Sequence, residues 1–583
     1  MTTTSLIRTA RGEIVAGRAG AAFALLDGAI TLADDLGALE LFTALGLNMG
    51  RHAQVRQRLQ SALARRPRDP GLLGLAAAAA HEVGDRDAAL ALASQALQTD
   101  PAQRLAAPIV VQALADALQV SEAIRVSEAC LKRDPDAWGV RLSRLFAWMC
   151  AGDCARALAD AEIARAAAPH SLPALMNCAL ASLYLDEPAQ ATLARHATVA
   201  AAIPGLSGKT MSPRARYRPG VRPLRVGFVS PDLRRHPVGL FMAPLFRHLD
   251  PHRVHAVVYG NGEGDAHTAV LRALAPDWHD THALDDAALF DLIQQQGIDV
   301  LVDLSGYTAG ARVRLMATRC APVQVGYLGY LHPTGLATMD GMIGDAETLA
   351  EAMPAGFEHP LRLPGHLLCY EPPAEAPPVL PRDAGAIRFG SFNHLAKLSP
   401  ATVTLWSRLL QACPGSTLTM CALGLSDPGV QVLVTRRFAD AGIDASRLRL
   451  LPPELNPARF LALYAGVDVA LDPLPFNGGT TSLQALWQGV PVITLPGERM
   501  AARLGRSMLR TIGLDDLVAR DEADFVRIGV QLAGDPPALA ALRGGLRARM
   551  RSSGILDDGR FADAFTSALE QFAEARSAAT ARS

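Results

Sequence analysis

Aromatic residues make up only 5% of this 583-residue chain, and its eight cysteines are spread without a single Cys-x-x-Cys pair. Cys150 and Cys154 stand closest together and lack the second pair that a structural zinc site requires. Free thiols buried in a reducing compartment are the expectation. Long hydrophobic runs are missing too: Leu72–Ala80 reaches nine residues, mostly alanine, far below a membrane span. The amino-terminal MTTTSLIRTARGEI carries no apolar segment of a signal peptide. Neither sign of charge dominates. With a formal net charge of −1, no overall field favours nucleic acid or a membrane surface. The expectation is a soluble, cytoplasmic protein with neither of these as partner.

What is present is apolar residue and length. Half the residues are hydrophobic and 19% are charged, a composition for packed cores rather than disorder. At 583 residues the chain exceeds one core, so several domains are expected.

The first third is periodic. Pro67, Pro101, Pro135 and Pro169 recur every 34 residues. In the same frame Ala62, Ala96, Cys130 and Ala164 are all small, and Gly50, Gly84 and Gly152 coincide, with Leu118 breaking the pattern. Asp85 and Asp153 follow two of these glycines. Small residues let antiparallel helices approach, glycine turns the chain, and proline follows the second helix. This pattern resembles the tetratricopeptide repeat, with Ala or Leu at most of its aromatic positions. Four units over about 36–171, with degenerate units on either side, place an α-solenoid at 1–206. Such an array offers a groove to a protein or peptide, or else caps or dimerises the chain.

Residues 207–223 form a polar linker with a basic run, Arg214–Arg218, read as solvated. Its Gly208-Lys209-Thr210 is no phosphate-binding Walker loop, since no glycine stands five residues earlier. From Leu224 strands alternate with helices. Strands are expected at Leu224–Val229, Val254–Tyr259, Asp299–Leu304 and Val323–Tyr327, which implies a doubly wound parallel sheet over 224–380. Ligands bind such sheets at the strand carboxyl ends. That rule selects His236, Asp303, Tyr307 and the loop Gly329–Gly335, including His332. His236 suits a general base near neutral pH. Asp303 either orients a base, takes the proton itself, or simply caps the Gly306 turn.

A proline-rich crossing at 372–381 leads to a second doubly wound region over 381–555, with a closing helix at 556–583. Strands are expected at Ile387–Phe392, Thr417–Cys421, Arg447–Leu451, Val467–Leu471 and Pro491–Leu495. Asn393-His394-Leu395-Ala396-Lys397 follows the first of these, and Ser399 caps a helix that opens at Pro400. Val467–Pro496 reads as strand, loop, helix, strand. Asp472-Pro473-Leu474-Pro475 ends the strand, Asn477-Gly478-Gly479 turns, and Thr480-Thr481 opens a helix. A helix amino terminus after a glycine turn at a strand's carboxyl end suits phosphate. Lys397 can reach a phosphate placed there, and together they can neutralise a diphosphate leaving group without a metal. No Asp-x-Asp of the metal-holding kind stands at a strand end.

Five segments carry a family resemblance: VGFVSPDLRRHPVGLF (226–241), VDLSGYTAGAR (302–312), VGYLGYLHPTG (325–335), SFNHLAKLSP (391–400) and NGGTTSLQALWQGVPVITLPGE (477–498). In this order they resemble the nucleocytoplasmic O-linked N-acetylglucosamine transferase family, over about 224–555. The resemblance implies two Rossmann-like lobes in the GT-B arrangement and an inverting transfer from UDP-N-acetylglucosamine to Ser or Thr hydroxyls of proteins. It implies neither metal nor cofactor. It sets His236 near the acceptor hydroxyl, with Tyr307, Gly329 and His332 on the acceptor side. Lys397, Asn393, His394, Gly478, Gly479, Thr480 and Thr481 fall at the donor, the backbone at Leu455 at the uracil edge, and Gln484 at the ribose. The chain departs from the family's pattern at Gln484 (Asp in relatives), at Gly479 and Phe460 (both His), and at His394 (Gln). The large insertion of animal members is absent. A related branch transfers fucose from GDP-fucose, which leaves the donor sugar open. Two rivals remain: a repeat scaffold with an idle nucleotide-binding region, and a sugar-nucleotide epimerase, against which the protein-sized groove argues.

Overall fold

The computed structural model describes residues 3–29, 35–213, 217–349, 358–382 and 385–579. Arg214, Ala215 and Arg216 of the basic run, and the last four residues of the expected closing helix, lie outside them. The described chain divides into two compact units, one ending at Ala151 but including 159–168, the other holding 152–158 and 169 onward.

The first unit is all helix. After helices at Thr3–Val15 and Ala19–Asp27 come the pairs Leu36–Asn48 with His52–Arg65, Pro70–Glu82 with Arg86–Thr99, and Ala106–Asp116 with Val120–Arg133. A fourth pair sets Trp138–Ser143 and Leu145–Cys150 against Cys154–Ala167, a helix shared between the units. The 34-residue frame is realised atom by atom. Ala62, Ala96, Cys130 and Ala164 are fully buried, as close helix contact requires. Gly50, Gly84 and Gly152 turn with φ of 68°, 78° and 70°, and Leu118 takes φ 57° at the same position despite its Cβ. One buried carboxylate, Asp160, is saturated by Arg144, Arg141 Nη1 at 2.9 Å and Trp148 Nε1 at 3.0 Å.

The second unit begins with one more helix pair, Leu172–Ser182 and Ala189–Ala202, which packs with the sheets. The helices thus end near the expected 206, but the compact division falls earlier, because this pair's polar contacts lie with the sheets. Buried Arg499 donates to Ser182 O, Leu185 O and Thr192 Oγ1, and His196 meets Tyr330 Oη at 2.6 Å.

Two parallel sheets follow. The first comprises β1 (Leu224–Ser230), β2 (Val254–Gly260), β3 (Trp278–Asp280), β4 (Val300–Asp303), β5 (Val323–Gly326), β6 (Gly341–Asp345) and β7 (His359–Leu363), in spatial order β3-β2-β1-β4-β5-β6-β7. Strands β3, β6 and β7 extend it beyond the four expected. The second comprises β8 (Arg388–Ser391), β9 (Thr417–Cys421), β10 (Leu448–Leu451), β11 (Val469–Leu471) and β12 (Val492–Ile493), ordered β10-β9-β8-β11-β12. In each sheet the order reverses beside one strand, between β1 and β4 and between β8 and β11. A ligand crevice opens at such a reversal. The lobes are tied by Ser507 Oγ to Asp345 Oδ2 at 2.6 Å and by Arg506 and Arg510 on Glu347. The closing helix Asp558–Ala579 returns to the first lobe, where Phe565 packs on Phe228 and Tyr327.

Among the described residues no helix is long and apolar enough to cross a membrane. All eight cysteines are buried, and no disulfide forms among the described residues.

Candidate active site

Both reversals carry the residues selected from sequence. At β8/β11 the segment after β8 brings Asn393 to Lys397, and the loop after β11 brings Asp472 to Thr481. Two hydrogen bonds lace them together: Lys397 Nζ donates to Asn477 O at 2.7 Å, and Thr481 Oγ1 donates to Asn393 Oδ1 at 3.0 Å. Lys397, Thr480 and Thr481 therefore share one location.

Asp472 organises this loop. Gly478 N donates to its Oδ1 at 2.6 Å and Thr494 Oγ1 to its Oδ2 at 2.7 Å. Burial raises the Asp472 carboxyl, while the same burial lowers the Lys397 ammonium and Asp472 opposes that loss. Gly478 has no room for a Cβ, which would collide with Ser482 Oγ and press on Asn393 and Thr481. The helix Thr480–Trp487 opens at Gly479 with no side-chain cap, so its first amides are left for a ligand. His394 accepts Ala396 N on Nδ1 at 3.0 Å. Burial, then Lys397, pushes it down to about 4, so the neutral ring keeps its proton on Nε2 as a donor. Gln484 is half-buried on the same helix. Leu455 is 82% exposed. Phe460 packs on Phe392 and Tyr464, an aromatic group beside it.

The β1/β4 reversal is different. His236 caps the helix Pro237–His248 and its side chain remains 41% exposed. Its Nδ1 lies 3.3 Å from Val238 N and 3.9 Å from Asp232 Oδ2. In the cap Nδ1 accepts Val238 N–H, which leaves the ring proton on Nε2; taking a proton on Nε2 requires the other tautomer, whose Nδ1–H turns to Asp232 and gives up the cap. Burial lowers its pKa, with Asp232 opposing, so the neutral ring prevails at neutral pH. Asp303 is 4% exposed, and its two oxygens accept Ser305 N and Gly306 N at 3.0 Å each. Burial pushes it up to about 6 against those two bonds. Tyr307 is buried and donates to Thr334 O at 2.8 Å. A Cβ at Gly329 would strike Leu304 O, so glycine there serves a close backbone approach. His332 is buried with its ring 4.1 Å from that of His196, and burial pushes it down to about 4. His236 thus stands at the crevice, while Asp303, Tyr307 and His332 are engaged inside the lobe.

Sequence reasoning missed Glu358, Tyr184, His196 and Phe476. Glu358 Oε1 accepts Thr334 N, Thr334 Oγ1 and Gly335 N, and burial pushes the carboxyl up to about 7. No periodicity flags these residues, since each acts through a partner far along the chain. Among the described residues no group of three or more His, Cys, Asp or Glu side chains is arranged for a metal ion.

Two parallel-sheet lobes with paired crevices make this a GT-B fold, preceded in the chain by tetratricopeptide-like helix pairs. The profile of glycosyl transferase family 41 matches residues 188–359 and 377–565, and the chain belongs to that family. A solved Thermobaculum terrenum O-GlcNAc transferase mutant is similar over 93% of this chain and 98% of its own, with TM-score 0.74 and 30% identity. The probable UDP-N-acetylglucosamine–peptide N-acetylglucosaminyltransferase SPINDLY of Solanum lycopersicum is 36% identical over 351 residues, 58% of this chain. The probable enzyme of the same description named SEC, from Arabidopsis thaliana, is 29% identical over 364 residues. These alignments span 38% and 36% of the two plant proteins, so the chain matches well under half the length of each.

Proposed function

We propose that this chain is a protein O-glycosyltransferase that moves N-acetylglucosamine from UDP-N-acetylglucosamine to Ser or Thr hydroxyls, with inversion and without a metal. The observation that carries the reading is the lacing of Lys397 and Thr481 around an uncapped helix end at the β8/β11 reversal. In this reading the donor diphosphate sits on the helix amides and the Thr480 and Thr481 hydroxyls. Lys397 and the helix dipole take up the charge that grows on the leaving group, work that a metal does elsewhere. His394 adds one neutral N–H. His236, opposite, removes the acceptor proton as the hydroxyl attacks the anomeric carbon. Attack from the side away from the departing diphosphate gives inversion. The acceptor is a protein or peptide, which the groove of the helical repeats is suited to bind.

Lys397→Ala should cut sugar transfer by about 100-fold or more while leaving the melting temperature unchanged, since preorganised charge at a leaving group is worth about 3–4 kcal/mol. UDP release with a protein acceptor measures it, and undiminished release refutes the reading. GDP-fucose is the second candidate donor, since Gln484, a neutral half-buried side chain, departs from the ribose carboxylate that the family's pattern places there. Calorimetric titration with the two sugar nucleotides separates them.

A further inference from the structure

The β11 loop places a phenylalanine directly before its glycine turn. The ring of Phe476 is engaged twice. The Lys397 ammonium lies 4.3 Å from its centroid, and Tyr184 stacks on it at 5.3 Å with 16° between the planes. Lys397 also donates to Asn477 O, the next residue's carbonyl, at 2.7 Å. An ammonium has three donors, and Asn477 O uses one. The π face attracts the charge without a lone pair, so it holds the ammonium while leaving N–H groups for an anion. A carboxylate in the same place would compete with an incoming diphosphate. An aromatic face does not. The ring is braced in turn, because Arg499 grips Ser182 O and Leu185 O on either side of Tyr184.

We propose that Phe476 is a positioning residue for Lys397, its ring holding the ammonium beside the Asn477–Thr481 turn in readiness for a sugar diphosphate, with Tyr184 fixing the ring. This inference rests on the donor-binding role of Lys397 proposed above. It accounts for how a half-buried lysine, whose charge Asp472 supports, keeps its place before any ligand arrives.

The test is a calorimetric titration of the full-length protein with UDP-N-acetylglucosamine, or with GDP-fucose if that is the donor that binds. F476L keeps an apolar side chain and removes the ring; it should weaken donor binding about tenfold, within the range of a desolvated cation–π contact. F476Y restores a face and should recover most of that affinity. In a K397A background F476L should add no further loss, because the ammonium it serves is gone. The inference is overturned if F476L binds donor as the unaltered protein does, if F476Y is as weak as F476L, or if F476L costs as much with K397A as without it. Where K397A alone abolishes measurable binding, the contrast between F476L and F476Y decides. Unweakened binding by K397A overturns the donor reading itself, and so is distinct from a failure confined to Phe476.

Discussion

The helical array and the two-sheet unit assign work to their residues in opposite ways. In the array each position answers a local demand repeated every 34 residues: a small residue where helices touch, a positive φ where they turn. In the sheets the residues that matter are far apart in sequence and meet only through topology. Asn393 and Thr481 are hydrogen-bonded across 88 residues, and His196 meets Tyr330 across 134. The difference teaches where substitutions should be felt. Changes at the array's turn and helix-contact positions should act on stability alone, and crevice changes on chemistry with little effect on the fold.

His236→Ala is the severest test of that division in the first lobe. Loss of a general base costs about 100-fold or more in turnover, and donor affinity should be untouched, since His236 stands at the other reversal. Asp303→Asn supplies the control. Asp303 already spends both oxygens on backbone amides, so this change should lower stability by about 1 kcal/mol and leave turnover nearly intact. Comparable turnover losses in the two variants would make Asp303 the proton acceptor and undo the distinction between crevice and interior.

The interior carboxylates predict a pH dependence of stability. Burial raises Asp303 to about 6 and Glu358 to about 7, and repulsion from Asp303 adds to the rise at Glu358. Unfolded carboxyls release their protons near pH 4. Between about pH 4 and 7 the folded chain therefore holds protons that the unfolded chain has lost, and stability declines as pH rises through that window, by on the order of 3 kcal/mol for each group and about 6 kcal/mol in all. Glu358→Gln sharpens the point. All three hydrogen bonds fall on Oε1, which glutamine retains, while Oε2 is buried without a partner among the described residues. The variant should unfold with a flatter pH profile and gain about 1–2 kcal/mol at pH 8; denaturant titrations at several pH values measure both, and an unchanged profile contradicts the raised carboxyl.

Much of this architecture was legible because it is periodic or punctuated. The proline and glycine frame located the helix pairs, and apolar runs ended by Pro or Gly located most strands. Strands β3, β6 and β7 escaped for physical reasons. Trp278–Asp280 is three residues with a polar end, Gly341–Asp345 opens on glycine, and His359–Leu363 is half-exposed at the sheet edge. The donor-side cluster was legible because phosphate chemistry has a local signature, a glycine turn opening a helix. Its supports were not. Asp472 reads as a strand-ending residue before proline, and nothing in the sequence links Tyr184 to Phe476 or Glu358 to Thr334. Gly329 and His332 were chosen by their place after β5; the close backbone approach at Gly329 and the burial of His332 against His196 are features that position along a strand does not reveal.

The smallest effect tests the array. Leu118 occupies the turn position where Gly50 and Gly84 stand in the preceding pairs, and it adopts φ 57° although its Cβ meets the following carbonyl there. That conformation costs about 1–2 kcal/mol for an L side chain, while glycine's greater freedom in the unfolded chain costs about 0.5–1 kcal/mol. Leu118 is half-buried, so its apolar contacts offset part of the strain. Leu118→Gly should thus stabilise the protein by a few tenths of a kcal/mol to about 1 kcal/mol. Gly84→Ala, at φ 78° with open space around it, should destabilise by about 1 kcal/mol for conformational reasons alone. Neither change should alter turnover. If Leu118→Gly destabilises, the leucine's packing outweighs its backbone strain, and the repeat's third unit is held by side-chain contact where the others are held by the turn.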